Sequence, residues 1–271
     1  MIHEISCKFD NQYKNITPSE NDRVICIKNG KVLCCLSEDR ICYPSVKEAV
    51  LVGEYLFSAG EIRYFAGEAE ENDIYFFGNL REIRTAASKE EVFAGLTALH
   101  IENWYSSNKY CGRCGKAMSH SKTERAMVCT CGNTVYPVIS PAVIVAVLNG
   151  DKILLTKYNR SFSHWALVAG YTEIGETPEE TVRREVREET GLFVKNIRYY
   201  TSHPWGLSSS LLLGYICEVD GSDEISLDNQ ELKEGRWFCR EEIDFEDDDF
   251  SLTREMIGKF RCGDYLFSSV G

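Results

Sequence analysis

ETPEETVRREVREETGL, residues 176–192, reads as a helix whose ends and faces are both specified by its residues. Thr177 stands as an N-cap, and Pro178 takes the first helical position, where its missing N–H costs nothing. Glu180 completes a capping box, and Gly191 supplies the stop. Val182 and Val186, one turn apart, form an apolar face suited to packing on a sheet. Beside that face Glu185, Glu188 and Glu189 fall at i, i+3 and i+4 and point the same way. Like charges at this spacing destabilise a helix by roughly 0.2–0.5 kcal/mol per pair. Either the nearby Arg183, Arg184 and Arg187 neutralise a solvated face, or the glutamates hold a divalent cation. Hard cations such as Mg²⁺ take oxygen ligands and are held by a few carboxylates together with substrate phosphates.

The surroundings favour the cation. Gly170, Glu176, Arg184, Glu185, Glu188, Glu189 and Gly191 form the pattern G-x5-E-x7-R-E-U-x-E-E-x-G-U, with U apolar. Seven fixed positions, each used at roughly 6%, match by chance about once in 10⁸ to 10⁹ windows. AVIVAVLNGDKILLTKY gives two strands around Asn149-Gly150, and HWALVAGYTEIGE is a short strand running into a loop. IRYYTS, LLLGYICEV and GRWFC add strands, and a helix from about Thr253 follows the acidic surface stretch REEIDFEDDDF. Strands interleaved with one acidic helix and one terminal helix predict an α/β sandwich.

Upstream, residues 1 to about 86 read mostly as strand. VICIKNGKVLCCL carries a hairpin signal at Asn29-Gly30, and IYFFGNLREI reads as another strand. Ser88 and Glu91 then make a capping box. Phe93, Leu96, His100 and Trp104 recur at helical spacing, with His100 expected as a packed core residue.

The chain has 271 residues, 44% of them hydrophobic, and a formal net charge of −12 with pI near 5.0. That balance argues against a broad footprint for DNA or RNA, but not against a polyphosphate neutralised by divalent metal. The first fifteen residues lack the apolar core of a signal peptide, and no apolar run approaches the ~20 residues that span a bilayer. The expectation is a soluble, cytoplasmic chain with no membrane partner.

In that compartment most of the 12 cysteines are expected as reduced, packed thiols. Four are clustered in YCGRCGKAM…VCTCGNTVYP: Cys111, Cys114, Cys129 and Cys131. Two close Cys pairs read as a structural Zn²⁺ site of four thiolates. The second pair, Cys129-Thr130-Cys131, has one intervening residue where two are usual, so His120 is a possible substitute ligand.

The 170–192 pattern is the Nudix box, and the chain resembles the Nudix hydrolases. A ribbon upstream of it, closed by YP, resembles the NADH pyrophosphatase subfamily, which acts on NAD(H) and related dinucleotides and, in some members, on NAD-capped RNA. The resemblance implies a Nudix α/β/α sandwich with a mixed sheet over 138–271. It is preceded by a zinc ribbon over 107–137 and a mostly-β (α+β) domain over 1–106. It implies Mg²⁺ or Mn²⁺ held by Glu185 and Glu189 with help from Glu188, Arg184 orienting the carboxylates, and Gly170 allowing a tight turn near the phosphates. Glu176 is expected to be structural or an outer metal contact. Glu231 falls where relatives place a distal metal-binding or base glutamate. Tyr171 and Tyr136 match aromatics that sandwich a base, with Ala169 and Ser210 lining the same pocket. Because Tyr136 reaches the neighbouring protomer in relatives, a homodimer is implied.

SHPWGLSSS, 202–210, matches the subfamily's S-Q-P-W-P-F-P-x-S at Ser202, Pro204, Trp205 and Ser210, with His203 in place of Gln and Gly206-Leu207-Ser208 in place of Pro-Phe-Pro. This stretch is expected as a loop more flexible than the family's. His203 and His164 are expected as polar loop residues. The resulting expectation is hydrolysis of NAD(H) to AMP and nicotinamide mononucleotide. The alternatives are a Nudix diphosphatase for another nucleoside diphosphate derivative such as ADP-ribose, and a non-catalytic nucleotide-sensing or RNA-binding module.

Overall fold

Odd and even positions of the run Val143–Leu148 feed two different cores. Val143, Val145 and Val147 pack with Val182, Val186, Leu192 and Tyr215. Ile144, Ala146 and Leu148 pack with Leu252, Met256, Ile257 and Phe260. A strand alternates its side chains, so one that is apolar at every position must be covered on both sides.

The protein is described by a computed structural model over residues 1–37, 40–83, 89–159, 164–227, 231–244 and 250–267. It divides into two compact units, one of Ile2–Val138 with Gly206–Ser209, the other of Met1, Ile139–Trp205 and Ser210–Gly271.

In the first unit β1 (Phe9–Asp10), β6 (Leu51–Ala59), β7 (Ile62–Glu68) and β2 (Arg23–Ile25) form one sheet in that order. β3 (Ile27–Lys28), β4 (Lys31–Ser37) and β5 (Arg40–Cys42) form another, with β8 (Phe76–Gly78) paired to β4. The Asn29-Gly30 hairpin is present, both residues at positive φ (53° and 72°), as a two-residue turn requires. IYFFGNLREI is a strand only as far as Gly78. Asn79 accepts a hydrogen bond from Arg81 N and starts the short helix α1 (Leu80–Ile83). α2 (Lys89–Ser107) buries Phe93, Leu96 and Trp104 as expected, while Ser88 lies outside the described residues. His100 is half-buried rather than packed in the core, and its Nε2 meets the Val138 carbonyl at 3.0 Å. β9 (Ser119–His120), β10 (Met127–Val128) and β11 (Thr134–Val135) make a small antiparallel ribbon.

The second unit is an α/β/α sandwich. Its sheet runs β15 (Val194–Trp205), β16 (Ser210–Val219), β12 (Ser140–Asn149), β13 (Lys152–Tyr158), β17 (Leu232–Cys239), with β14 (Val168–Tyr171) paired to β12. The β12–β16 pair is parallel and the rest are antiparallel, so the sheet is mixed. β12 forks, pairing β13 at Leu148–Asn149 and β14 at Ala142–Val145. The fork lets β14 enter beside α3 (Pro178–Thr190), which covers one face, while α4 (Leu252–Arg261) covers the other. Burying Val182 and Val186 contributes roughly 1.5–3 kcal/mol each. SHPWGLSSS is not a free loop: Ser202–Trp205 continue β15, and Pro204 is tolerated there because β15 is an edge strand. Gly206 has its own steric reason, since a Cβ there would lie 2.1 Å from the Leu96 carbonyl oxygen.

Candidate active site

α3 carries the candidate site and is fixed at both ends. Thr177 Oγ1 accepts from Glu180 N at 3.3 Å, and Glu180 Oε2 accepts from Thr177 N at 2.7 Å, closing the capping box. Gly191, at φ 74°, donates its N–H to the Arg187 carbonyl at 2.9 Å. The helix therefore cannot slide or rotate without losing a cap, and its acidic edge is held in register with β14.

Arg184 is the hub. Its Nε and Nη2 donate to both Glu176 oxygens at 2.7 and 2.9 Å, and Nη2 also reaches the Tyr171 carbonyl at 2.9 Å. Nη1 is shared between Glu185 Oε1 at 2.7 Å and Glu188 Oε2 at 3.1 Å. The paired hydrogen bonds from Arg184 hold the Glu176 carboxyl down at about 2, and the same bonds raise the arginine. Thr181 Oγ1 and Glu173 N also donate to Glu176. Glu176 is thus the anchor of the hub. Thr181, on the buried side of α3, went unremarked in the sequence; its place one turn after the N-cap was the available signal.

Glu185 is half-buried, and burial raises its carboxyl pKa. Arg184 opposes that shift, while Glu188 and Glu231 add to it, which places the exposed Glu231 within electrostatic reach. Gly170 explains where Glu185 goes. A Cβ on Gly170 would lie 1.9 Å from the Glu185 carboxyl carbon and 2.0 Å from its Oε1. The glycine is needed for this cradle, not for a tight turn. Glu189 is buried at 5% exposure, whereas Glu188 is exposed. These are hard oxygen donors on one helix edge, one of them seated in a cradle a side chain would fill, and they suit a divalent cation. The glutamates do not yet converge. Among the described residues only the four ribbon cysteines bring three or more donor atoms within 4.8 Å of one another. Arg184 Nη1 bridges the carboxylates of Glu185 and Glu188.

Tyr171, at the end of β14, is about half exposed, and Ser210 Oγ donates to its hydroxyl at 3.5 Å. Ser210 is buried and Ala169 half-buried. Tyr136, in the other unit, is also exposed, and its hydroxyl donates to Glu124 at 3.1 Å. Neither ring is a core residue. His164 is exposed, but His203 is not a loop residue. It is buried within β15, its ring 5.7 Å from that of Trp205.

The ribbon cysteines form the other candidate centre. Gly115 and Gly132, at φ 73° and 84°, turn the chain after each Cys pair so that their N–H groups return to the Cys111 and Cys129 carbonyls. Sγ–Sγ distances are 3.7 Å for Cys111–Cys131 and 3.5 Å for Cys114–Cys129. Four sulfurs about 2.3 Å from a tetrahedral Zn²⁺ stand about 3.8 Å apart, so the set fits despite the shorter Cys-x-Cys. His120 lies outside it, its ring tilted by 53° against that of Tyr105 with the centroids 4.6 Å apart.

Residues 138–257 match the NUDIX domain, and residues 106–136 match the NADH pyrophosphatase zinc ribbon domain. The NAD-capped RNA hydrolase NudC of Enterobacter sp. (strain 638) is 36% identical over 214 residues, 76% of this chain and 81% of that protein. The chain belongs to the Nudix hydrolases. The NudC of Escherichia fergusonii is 35% identical to this Nudix hydrolase, covering 78% of the chain and 80% of that protein. A Nudix hydrolase structure from Nitrosomonas europaea shares its fold, with a TM-score of 0.52 and 22% identity over 60% of this chain and 95% of that one. With the family comes a divalent metal, and with the ribbon a structural zinc. No helix among the described residues is long and apolar enough to cross a membrane.

Proposed function

We propose that this Nudix hydrolase splits the diphosphate of NAD(H) with water, giving AMP and nicotinamide mononucleotide. The carrying observation is the seat of Glu185: its carboxylate fills the space left by Gly170, is clamped by Arg184 and stands on one helix edge with the buried Glu189. Glu185, Glu188, Glu189 and Glu231 are assigned to hold Mg²⁺ or Mn²⁺. When bound there, the metal would supply charge neutralisation at the diphosphate and a more acidic water. Arg184 keeps the carboxylates aimed outward and, through Glu176, keeps the turn before α3 from moving. One of these carboxylates also helps to deprotonate the attacking water.

Tyr171 and Tyr136 are assigned to stack the bases, with Ala169 and Ser210 lining the pocket. An exposed ring suits this, because stacking contributes about 1–3 kcal/mol per base. Tyr136 is assigned to the site of a second copy, which makes the enzyme a homodimer. The organisation is an N-terminal domain over 1–106, a ribbon over 107–137 and a catalytic domain over 138–271, in a cytoplasmic protein without affinity for DNA. The names of its relatives extend the substrate to NAD-capped RNA.

A panel of NADH, NAD⁺, ADP-ribose, diadenosine polyphosphates and NAD-capped RNA tests the assignment. The expected result is highest kcat/KM on the NAD(H) moiety, free or as an RNA cap. Preference for ADP-ribose supports a diphosphatase of other specificity, and no turnover of any member supports a nucleotide-sensing or RNA-binding module.

A further inference from the structure

Cys35 and Cys42 face each other across neighbouring antiparallel strands of the N-terminal unit. β4 and β5 pair with Cys35 opposite Cys42, Leu36 opposite Ile41 and Ser37 opposite Arg40. Directly opposed residues project from the same side of a sheet, with Cα atoms about 4.5–5.5 Å apart. A disulfide accepts Cα separations of about 4.4–6.8 Å, so the two sulfurs can join with little backbone movement. Both cysteines are half-buried, and therefore within reach of a small reagent. Cys26, Cys34 and Cys217 are instead buried, and burial pushes Cys26 up to about 12 and Cys34 up to about 11, while Cys239 at the end of β17 is half-buried but is paired with Lys152 and has no cysteine opposite it. Burial and then the neighbouring Cys42 sulfur also raise Cys35, in keeping with two thiols in proximity.

We propose that Cys35 and Cys42 are a modification site that closes to a reversible cross-strand disulfide by exchange with a small-molecule disulfide. One protein thiolate attacks a sulfur of the reagent, forming a mixed disulfide and releasing one reagent thiolate. The second cysteine then attacks the protein sulfur of that mixed disulfide, forming the Cys35–Cys42 bond and releasing the other reagent thiolate. Two protein thiols lose two electrons, one reagent disulfide gains them, and the two thiol protons leave with the released thiols. The bond ties together a hairpin that holds two anchors. Ile41 is fully buried, and Arg40 pairs with Glu91 of α2 at 2.6 Å. Oxidation therefore stiffens the sheet edge on which α2 is pinned, independently of the assigned reaction.

The test uses the full, zinc-loaded chain, so that the metal shields the ribbon thiols. The protein is equilibrated with oxidised glutathione, blocked with an alkylating reagent and digested with trypsin without reduction. Trypsin releases VLCCLSEDR and ICYPSVK. The expected product is these two peptides joined, with fragmentation placing the bond at Cys35. The joined species is absent from Cys35→Ser and persists in Cys34→Ser, and Cys42→Ser stops at glutathione on Cys35. Reduction restores both free peptides. Glutathione adducts on Cys35 and Cys42 without linkage, or reaction confined to Cys7, Cys239 and Cys262, would overturn the proposal.

Discussion

Gly170 and Glu185 compete for one volume, and that competition gives a direct test at the scale of the residue. In Gly170→Ala the new methyl displaces the Glu185 carboxylate. Misplacing a catalytic group by about 1 Å costs on the order of 100-fold in rate, so kcat should fall by at least that. The added cost in stability should vanish in a Glu185→Ala background, where the methyl has room. A urea-denaturation double-mutant cycle checks this, and additive losses would contradict it. Glu176 gives a second test. Its folded pKa of about 2 lies below the ordinary value of 4.5. A depressed carboxyl contributes stability that is complete above the unfolded value and is lost as pH falls through the folded one. The urea midpoint of Glu176→Gln should therefore drop less than that of the parent between about pH 5 and about pH 3. An equal drop would contradict the clamp. The sequence marked both residues, because their spacing is fixed along the chain. It could not reveal why Gly170 is glycine, since that depends on β14 lying against α3, nor that His203 is buried, since that depends on how far β15 runs.

α3 was legible to the residue because everything that defines it is local: the Thr177–Glu180 box, Pro178, the Val182–Val186 face and the Gly191 stop. Thr177→Ala should destabilise the chain by about 1 kcal/mol through loss of the cap. It should also reduce turnover more than its stability loss explains, because the cap holds the register of the acidic edge. Chemical denaturation and kcat measured well below the melting transition separate the two effects. Unchanged turnover would show that the edge needs no such support. Where the local signal was ambiguous the sequence misled: after IYFFG the chain keeps an apolar pattern, but the Asn79 cap turns it into helix. The run SHPW continues a strand because β16 offers it a partner, a fact outside the stretch itself.

For the whole molecule, an α/β sandwich followed from the order of elements and its α/β/α layering from the resemblance, whereas the forked β12 and its parallel pairing with β16 followed from neither. The parallel pair joins segments 70 residues apart, in the register Ser140↔Ser210. The ribbon was legible from cysteine spacing alone, and its one-residue gap is accommodated by the turn at Gly132. Because binding free energy at a structural zinc is folding free energy, one zinc per chain is expected, and chelation should lower the melting temperature. A zinc-free preparation with an unchanged melting curve would contradict that role. The central claim is that the glutamate edge of α3 performs metal-dependent hydrolysis of a dinucleotide. The most direct measurement is product analysis of NADH incubated with the parent and Glu189→Gln, each with and without Mg²⁺ or Mn²⁺. The account predicts equimolar AMP and reduced nicotinamide mononucleotide from the parent only when metal is present, with a loss of at least about 100-fold in the folded variant. Full turnover by Glu189→Gln, or hydrolysis by the parent that persists in a chelator, would contradict it.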